Sequence, residues 1–140
     1  MSECVATKLK LQEGYRFITE FDLEGVPNIL LDEPEPIGKG QGPVSTRLLS
    51  AAIGYCLSSS LIYCLQKARI DTRNMETNVN LYTMRNEEGR LRVRNIDVQI
   101  SLEVDEKDRP RIPRCLEIFE NYCTVTQSIM KGIEISVAVV

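Results

Sequence analysis

The chain has 140 residues, 43% hydrophobic and 26% charged, with a formal charge of −3 and no histidine. That is one domain's length, residues 1–140, with enough chain for a core and the composition of an ordinary globular protein. The negative balance argues against a nucleic-acid surface. With neither histidine nor a C-x-x-C pair, the usual tetrahedral zinc sites are excluded too.

Val5, Leu9 and Leu11 alternate with Lys8 and Lys10, and Gln12-Glu13-Gly14 turns the chain into a second alternating run, Tyr15, Phe17, Thr19 and Phe21. This period of two predicts a half-buried hairpin, and Ile29 to Leu31 reads as a short third strand. From Asp32 to Pro43, three prolines and three glycines leave room for neither helix nor ladder, so a loop is expected. No Gly-Lys-Ser/Thr follows, so it is not a phosphate-cradling loop.

Ser45 is the expected N-cap of a helix that runs to about Ala68. Its stretch Leu48 to Leu65 holds 18 uncharged residues, the lower limit for a membrane span. Gly54, Ser50 and Ser58-Ser59-Ser60 interrupt that stretch and amphipathic strands flank it, so a buried core helix is expected and no membrane partner. One sheet cannot cover a helix that is apolar on more than one face. A homodimer burying about 2,000 Å² or more is therefore expected.

Thr77, Val79 and Leu81 predict the next strand, and Asn86-Glu87-Glu88-Gly89 a turn. The following strand is apolar at Leu91 and Val93, then at Ile96, Val98, Ile100, Leu102 and Val104. That one-residue change of phase predicts a β-bulge near Arg94-Asn95. Arg90, Arg92 and Arg94 read as the strand's solvated face. Pro113 opens a helix carrying Cys115, Ile118, Phe119 and Tyr122, and Thr124-Val125-Thr126-Gln127 matches a capping box for a short helix ending at Gly132. Ile133, Ile135, Val137 and Val139 alternate as a last strand. The expected order is β-β-β-α-β-β-α-α-β, an α+β domain with antiparallel strands and a long central buried helix.

Five cysteines is an odd count, and Met1-Ser2-Glu3-Cys4 lacks a signal peptide's apolar core, so a reducing cytoplasm is the expected compartment. Cys56 lies in the apolar helix with Leu49, Ile53, Leu57 and Leu61. Buried there, it is an inert small hydrophobe unless a cation lies near it. Cys64 and Cys115 read as core fillers, and Cys4 has no assigned role. Cys123, with Thr124 as cap, precedes the free amides of a helix N-terminus, whose partial positive charge favours a thiolate. Two thiols so placed point to redox chemistry in which one sulfur reacts and the other resolves.

The stretch Gly42-Pro43 … Leu48-Leu49-Ser50-Ala51-Ala52-Ile53-Gly54-Tyr55-Cys56, followed by Tyr122-Cys123-Thr124-Val125 … Ser128 … Gly132-Ile133, resembles the OsmC/Ohr family. These are the osmotically inducible and organic-hydroperoxide-resistance proteins, and the likeness covers nearly the whole chain. The resemblance implies an intertwined homodimer that reduces organic hydroperoxides through a sulfenic acid and disulfide cycle, with no tightly bound cofactor and a small lipoyl-type dithiol as reductant. It implies Cys56 as the peroxidatic thiol, Cys123 as the resolving thiol and Arg16 as the arginine that stabilises the thiolate. Read without the family, Arg16 is a solvent-facing strand residue. An apolar pocket beside Leu49, Ile53 and Leu57 is expected to favour alkyl and aryl hydroperoxides over hydrogen peroxide.

Two departures place the chain among divergent members of the family. Where the peroxidases carry a glutamate ten residues before the first cysteine, this chain has Thr46, which can hydrogen-bond but provides no countercharge. Arg47 beside it is the second candidate cation. Cys123-Thr124-Val125 replaces the usual Cys-Pro-Val. Two other readings stand beside the peroxidase: a non-catalytic relative whose dimer pocket binds a small thiol or apolar ligand, and a structural protein whose cysteines fill the core.

Overall fold

A computed structural model describes residues 2–140, which form two compact units that divide between Leu49 and Ser50. The first holds β1 (Lys8–Glu13), β2 (Arg16–Glu20) and β3 (Ile29–Leu31), an antiparallel sheet in that order. Gly14 takes a φ of +58° in the β1–β2 turn, and a register shift between Leu11 and Glu13 sets Glu13 opposite Arg16. The hairpin is half-buried only on its β2 side. Leu9 and Leu11 of β1 stay 50% and 60% exposed, because nothing within the unit covers that edge of a three-stranded sheet.

The segment from Asp32 to Pro43 is a loop, as its prolines and glycines predict, and it is tightly held. Gly40 donates to the Glu33 carbonyl (2.9 Å) and Gly38 to that of Pro34 (3.0 Å). A Cβ at Gly42 would lie 2.0 Å from the Leu30 carbonyl oxygen, so only glycine lets the loop pass this close to β3.

Helix α1 (Ser45–Lys67) follows. The Arg47 and Leu48 amides donate to the Val44 carbonyl, which makes Ser45 the first helical residue and not the cap expected of it. Ile53, Leu57, Leu61, Cys64 and Leu65 form its buried face, with Gly54 and Ser60. Three of the serines that interrupt the apolar run bond the helix's own backbone. Ser58 donates to the Gly54 carbonyl (2.6 Å), and Ser59 and Ser60 donate to that of Cys56 (3.1 and 2.7 Å). By length and composition α1 could cross a membrane. One of its faces is instead the core of the second unit, while Tyr55 and Tyr63 remain 75% and 49% exposed.

Strands β4 (Thr72–Arg85) and β5 (Leu91–Val104) form a long antiparallel hairpin. Tyr82 pairs with Asn95 and Thr83 with Val93, which leaves Arg94 as the extra residue where the change of phase predicts a bulge. Ile96, Val98, Ile100, Leu102 and Val104 are half-buried beyond it. Residues Glu106–Arg111 form a 3-10 turn before α2 (Ile112–Ile118), Phe119–Tyr122 a second one, and α3 (Thr124–Lys131) ends at Gly132 with φ +82°.

The expected last strand is absent. Residues 133–140 carry no ladder, and Ile135 and Val137 are 80% and 84% exposed. Their alternation suits a strand, but a strand needs a neighbour to take its backbone bonds, and no described strand pairs with this segment. The observed order is β-β-β-α-β-β-α-α, an α+β fold of antiparallel sheets with a long central helix.

Candidate active site

The second unit brings Cys56 and Cys123 together from elements far apart in sequence. Cys56 sits mid-way along α1, partly exposed and not fully buried as expected, while Cys123 is 0% exposed and is itself the N-cap of α3. Thr124, the expected cap, is the first helical residue. The Thr126 amide donates to Cys123 Sγ (3.4 Å), and the Cys123 thiol donates to Thr126 Oγ1 (2.8 Å). Neighbouring contacts tie the two elements to each other. The rings of Tyr63 in α1 and Tyr122, just before Cys123, meet edge to face at 5.8 Å, and Lys67 Nζ lies 5.4 Å from the Tyr63 ring centre.

The Cys123 thiol is pushed above its ordinary value, against the thiolate that a helix N-terminus alone favours. Burial is the largest cause, followed by a hydrogen bond with the Cys56 side chain; the Thr126 side chain and amide pull the other way, and the Cys56 charge adds repulsion. Desolvation of a fully covered sulfur outweighs one turn of helix dipole. Cys64 and Cys115 are buried together at 4% and 3% exposure, and burial first, then Cys115, pushes Cys64 up as well. Cys4 is exposed, and all five thiols are free.

Arg16 lies in the first unit, on β2. Its Nη2 donates to Glu13 Oε2 (3.0 Å) and its Nη1 to Gln41 Oε1, while its buried Nε has no partner. It is therefore a held guanidinium and not a free strand residue. Neither Thr46 nor Arg47 is among its partners; both lie in the first turn of α1, Thr46 half-buried and Arg47 exposed.

Asp32, 5% exposed, organises the loop that delivers Gln41. Its carboxylate accepts the amides of Glu33 (2.8 Å), Lys39 (3.1 Å) and Gln41 (3.2 Å). Burial opposes its charge, yet these three donors and the nearby Arg16 outweigh burial and hold the carboxyl below its ordinary range. A pocket of about 310 Å³ opens here, lined by Glu13, Tyr15, Arg16, Asp32, Ile37 and Lys39 among others.

Sequence reasoning missed Glu13, Asp32, Gln41 and Thr126. The signals were faint: an acid three residues before Arg16, an Asp at the mouth of a Pro/Gly loop, and a threonine read only as part of a capping box. Ile53 and Leu57 are buried in the core, and one open groove of the second unit, about 560 Å³, is lined by Tyr55, Ser58, Ile62, Tyr63, Met75 and Thr77 among others. Among the described residues, no cluster of His, Cys, Asp or Glu could hold a metal ion.

No curated protein matches the sequence. The chain is similar in fold to an OsmC-like protein of unknown function from Vibrio cholerae, at 14% identity and a TM-score of 0.76, covering 91% of this chain and 93% of that one. It is also similar to the organic hydroperoxide resistance protein OhrB of Bacillus subtilis, at 18% identity and a TM-score of 0.57, covering 89% of each chain. A putative organic hydroperoxide resistance protein of Vibrio cholerae, solved with captopril in one of its active sites, matches at 14% identity and a TM-score of 0.60, covering 92% of this chain and 87% of that one. The family model for OsmC-like proteins matches residues 38–138, which include both Cys56 and Cys123, and the chain belongs to the OsmC-like family.

Proposed function

We propose that the protein is a two-cysteine hydroperoxide reductase whose substrates are organic hydroperoxides and whose reductant is a small dithiol of lipoyl type. The observation that carries this reading is the meeting of Cys56 and Cys123: one thiol is partly open to solvent, and the other is fully covered and touches no solvent. That two proteins similar in fold are named for organic hydroperoxide resistance supports it.

In the proposed cycle the Cys56 thiolate attacks the outer peroxide oxygen. The O–O bond breaks, the alkoxide leaves and takes a proton as the alcohol, and Cys56 becomes a sulfenic acid. The Cys123 sulfur then displaces the hydroxyl of that sulfenic acid, its own proton leaving in the water formed, and a disulfide closes. A dithiol attacks the disulfide, forms its own internal disulfide and restores both thiols. Arg16 is proposed as the cation that favours the Cys56 thiolate, held by Glu13 and Gln41 in place of the acid that Thr46 does not supply.

Residues 1–140 are read as one domain of this family, since the similar structures span about nine-tenths of the chain. A homodimer is part of the proposal. The bare alternating segment from Ile133 to Val139, the two-stranded β4–β5 sheet with open edges and the outward Tyr55, 75% exposed, are left without a covering partner among the described residues. Light scattering is expected to give a dimer; a stable species of 15.9 kDa at micromolar concentration overturns it.

The test of function is steady-state turnover of cumene hydroperoxide and of hydrogen peroxide with dihydrolipoamide. Mass spectrometry after one equivalent of peroxide accompanies it. Turnover favouring cumene hydroperoxide, with a Cys56–Cys123 bridge, is expected. A Cys64–Cys115 bridge instead overturns the site. No turnover, with a small thiol bound at Cys56, moves the protein to the ligand-binding reading.

A further inference from the structure

We infer that Thr126 is the positioning residue of the Cys123 half of the site, one side chain and its own amide together fixing the sulfur and stabilising the charge it gains on ionising to attack. The inference rests on the reading of Cys56 and Cys123 as a reacting pair.

The geometry is specific. Cys123 closes off α3 as its N-cap, a position that serine, threonine, aspartate and asparagine ordinarily fill. Its sulfur therefore has a backbone task, to accept the Thr126 amide at 3.4 Å, and this fixes its rotamer. The same residue offers its hydroxyl at 2.8 Å. In the reduced protein that oxygen accepts the thiol proton. Once the thiol ionises, the hydroxyl can rotate and donate to the sulfur, so the thiolate receives two donors from one residue. No other hydrogen-bond partner is found for this sulfur in its own helix. The titratable group that faces it from α1 is Cys56, whose charge opposes its ionisation.

Burial makes such support necessary. Cys123 is wholly covered, and a sulfur in apolar surroundings is a poor thiolate. In the resolving step Cys123 S–H gives up its proton, its sulfur bonds to Cys56 sulfur, and the hydroxyl leaves as water. Negative charge appears on the covered Cys123 sulfur as it gives up its proton, before the S–S bond takes that charge up, and Thr126 is the residue placed to stabilise it. The first step, attack of Cys56 on the peroxide, does not need this contact. Thr126 should therefore affect disulfide closure and leave peroxide attack alone.

The test compares the parent with Thr126→Val, which keeps shape and amide but loses the hydroxyl, and with Thr126→Ser, which keeps the hydroxyl. After one equivalent of cumene hydroperoxide, sulfenic acid is trapped with dimedone and disulfide closure is followed by mass spectrometry across pH 6–10. A hydrogen bond to a charged group corresponds to a factor of about 10 to 100 in rate. Thr126→Val is expected to consume peroxide at the parent rate but close the disulfide about 10-fold or more slowly, with its pH profile moved to higher pH; Thr126→Ser restores both. Closure at the parent rate and pH profile in Thr126→Val overturns the inference, as does an equal loss in Thr126→Ser. If the parent itself never reacts with peroxide, the peroxidase reading fails. The inference is then decided by diamide-driven closure of the same pair: slowing with a shifted pH profile in Thr126→Val supports it, and an unchanged profile refutes it.

Discussion

Gly54, two residues before Cys56, is a point of close packing between α1 and the β4–β5 sheet, and Gly54→Ala tests it. In an open helix interior the exchange would stabilise by about 0.5–1 kcal/mol, because alanine loses less backbone entropy. Here the added Cβ would lie 2.7 Å from Val79 Cγ2 and 3.5 Å from Thr77 Cγ2. The first distance is well inside the ~3.5–4.0 Å optimum for carbon pairs. Val79 is β-branched, stiff at χ1 and paired across the sheet with Val98, so relief requires moving the helix. Such overpacking costs about 1–3 kcal/mol. The net expectation is a loss of about 1 kcal/mol in urea unfolding, with the slope unchanged. Val79→Ala opens the space the new methyl needs, so the double variant should recover about 1–2 kcal/mol relative to the sum of the two singles. A Gly54→Ala protein more stable than the parent, or singles that add to within about 0.3 kcal/mol, refutes the close packing that sets the Cys56 turn against the sheet.

The pKa values of Cys64 and Cys123 both lie above the ordinary 9.0, so the folded state keeps protons that the unfolded state loses. Stability is then full below about pH 8.5 and falls as pH rises through the folded values, by up to about 1.4 kcal/mol per pH unit for each thiol. Under reducing conditions Cys64→Ala should flatten that fall, and an identical slope argues against burial as the cause. The carboxyl of Asp32 lies below its ordinary 3.8, so its contribution is present above that value and lost as pH falls through the lowered one. Asp32→Asn should be less stable at pH 7, lose less on acidification and be cut faster between residues 32 and 43 by protease; equal cutting refutes the loop clamp. Arg16→Ala should slow peroxide attack far more than it lowers the urea midpoint, with Gln41→Ala a weaker form of the same defect. Unchanged attack in Arg16→Ala transfers the cation's role to Arg47→Ala as the next test.

What could be read from sequence was what one strand or helix determines locally. The periods of two in β2, β4 and β5, the Pro/Gly loop and the apolar stretch of α1 each follow from residues within a few positions of one another. Even the bulge at Arg94 was legible, because a change of phase is a local signal. What failed depended on neighbours. The alternation from Ile133 to Val139 says nothing about whether a second strand is present, and the exposure of Leu9 and Leu11 is decided by what covers β1. Cys56 and Cys123 were legible as a pair through the family motifs, but their difference in burial was not. Asp32 was invisible for a similar reason. Three amides converge on one carboxylate only after the loop has folded back on itself, and no spacing rule encodes that.

The unequal burial of the two cysteines bears on the return half of the proposed cycle as well as the forward half. A fully covered Cys123 sulfur is reached by its neighbour alone, so an incoming dithiol must attack the Cys56 sulfur and expel Cys123 as the leaving thiolate. A leaving thiol of higher pKa departs more slowly, so burial, which favours specificity by shielding Cys123 from other oxidants, works against reduction. Closeness offsets the matching loss in the forward step, since well-oriented intramolecular reactions gain effective concentrations of about 10⁵ M or more. It gives no help on the return, where a second molecule must arrive. The two donors of Thr126 act on the same atom in both directions, as nucleophile and as leaving group. Closure and reduction are different reactions, but in each the Cys123 sulfur bears charge, as attacking thiolate in one and as leaving thiolate in the other. A contact that lowers the cost of that charge therefore favours both. The slowing expected in Thr126→Val should therefore reappear, at similar size, when the oxidised protein is reduced by dihydrolipoamide; slowed closure with unaffected reduction would mean that the threonine only places the sulfur and does not stabilise its charge.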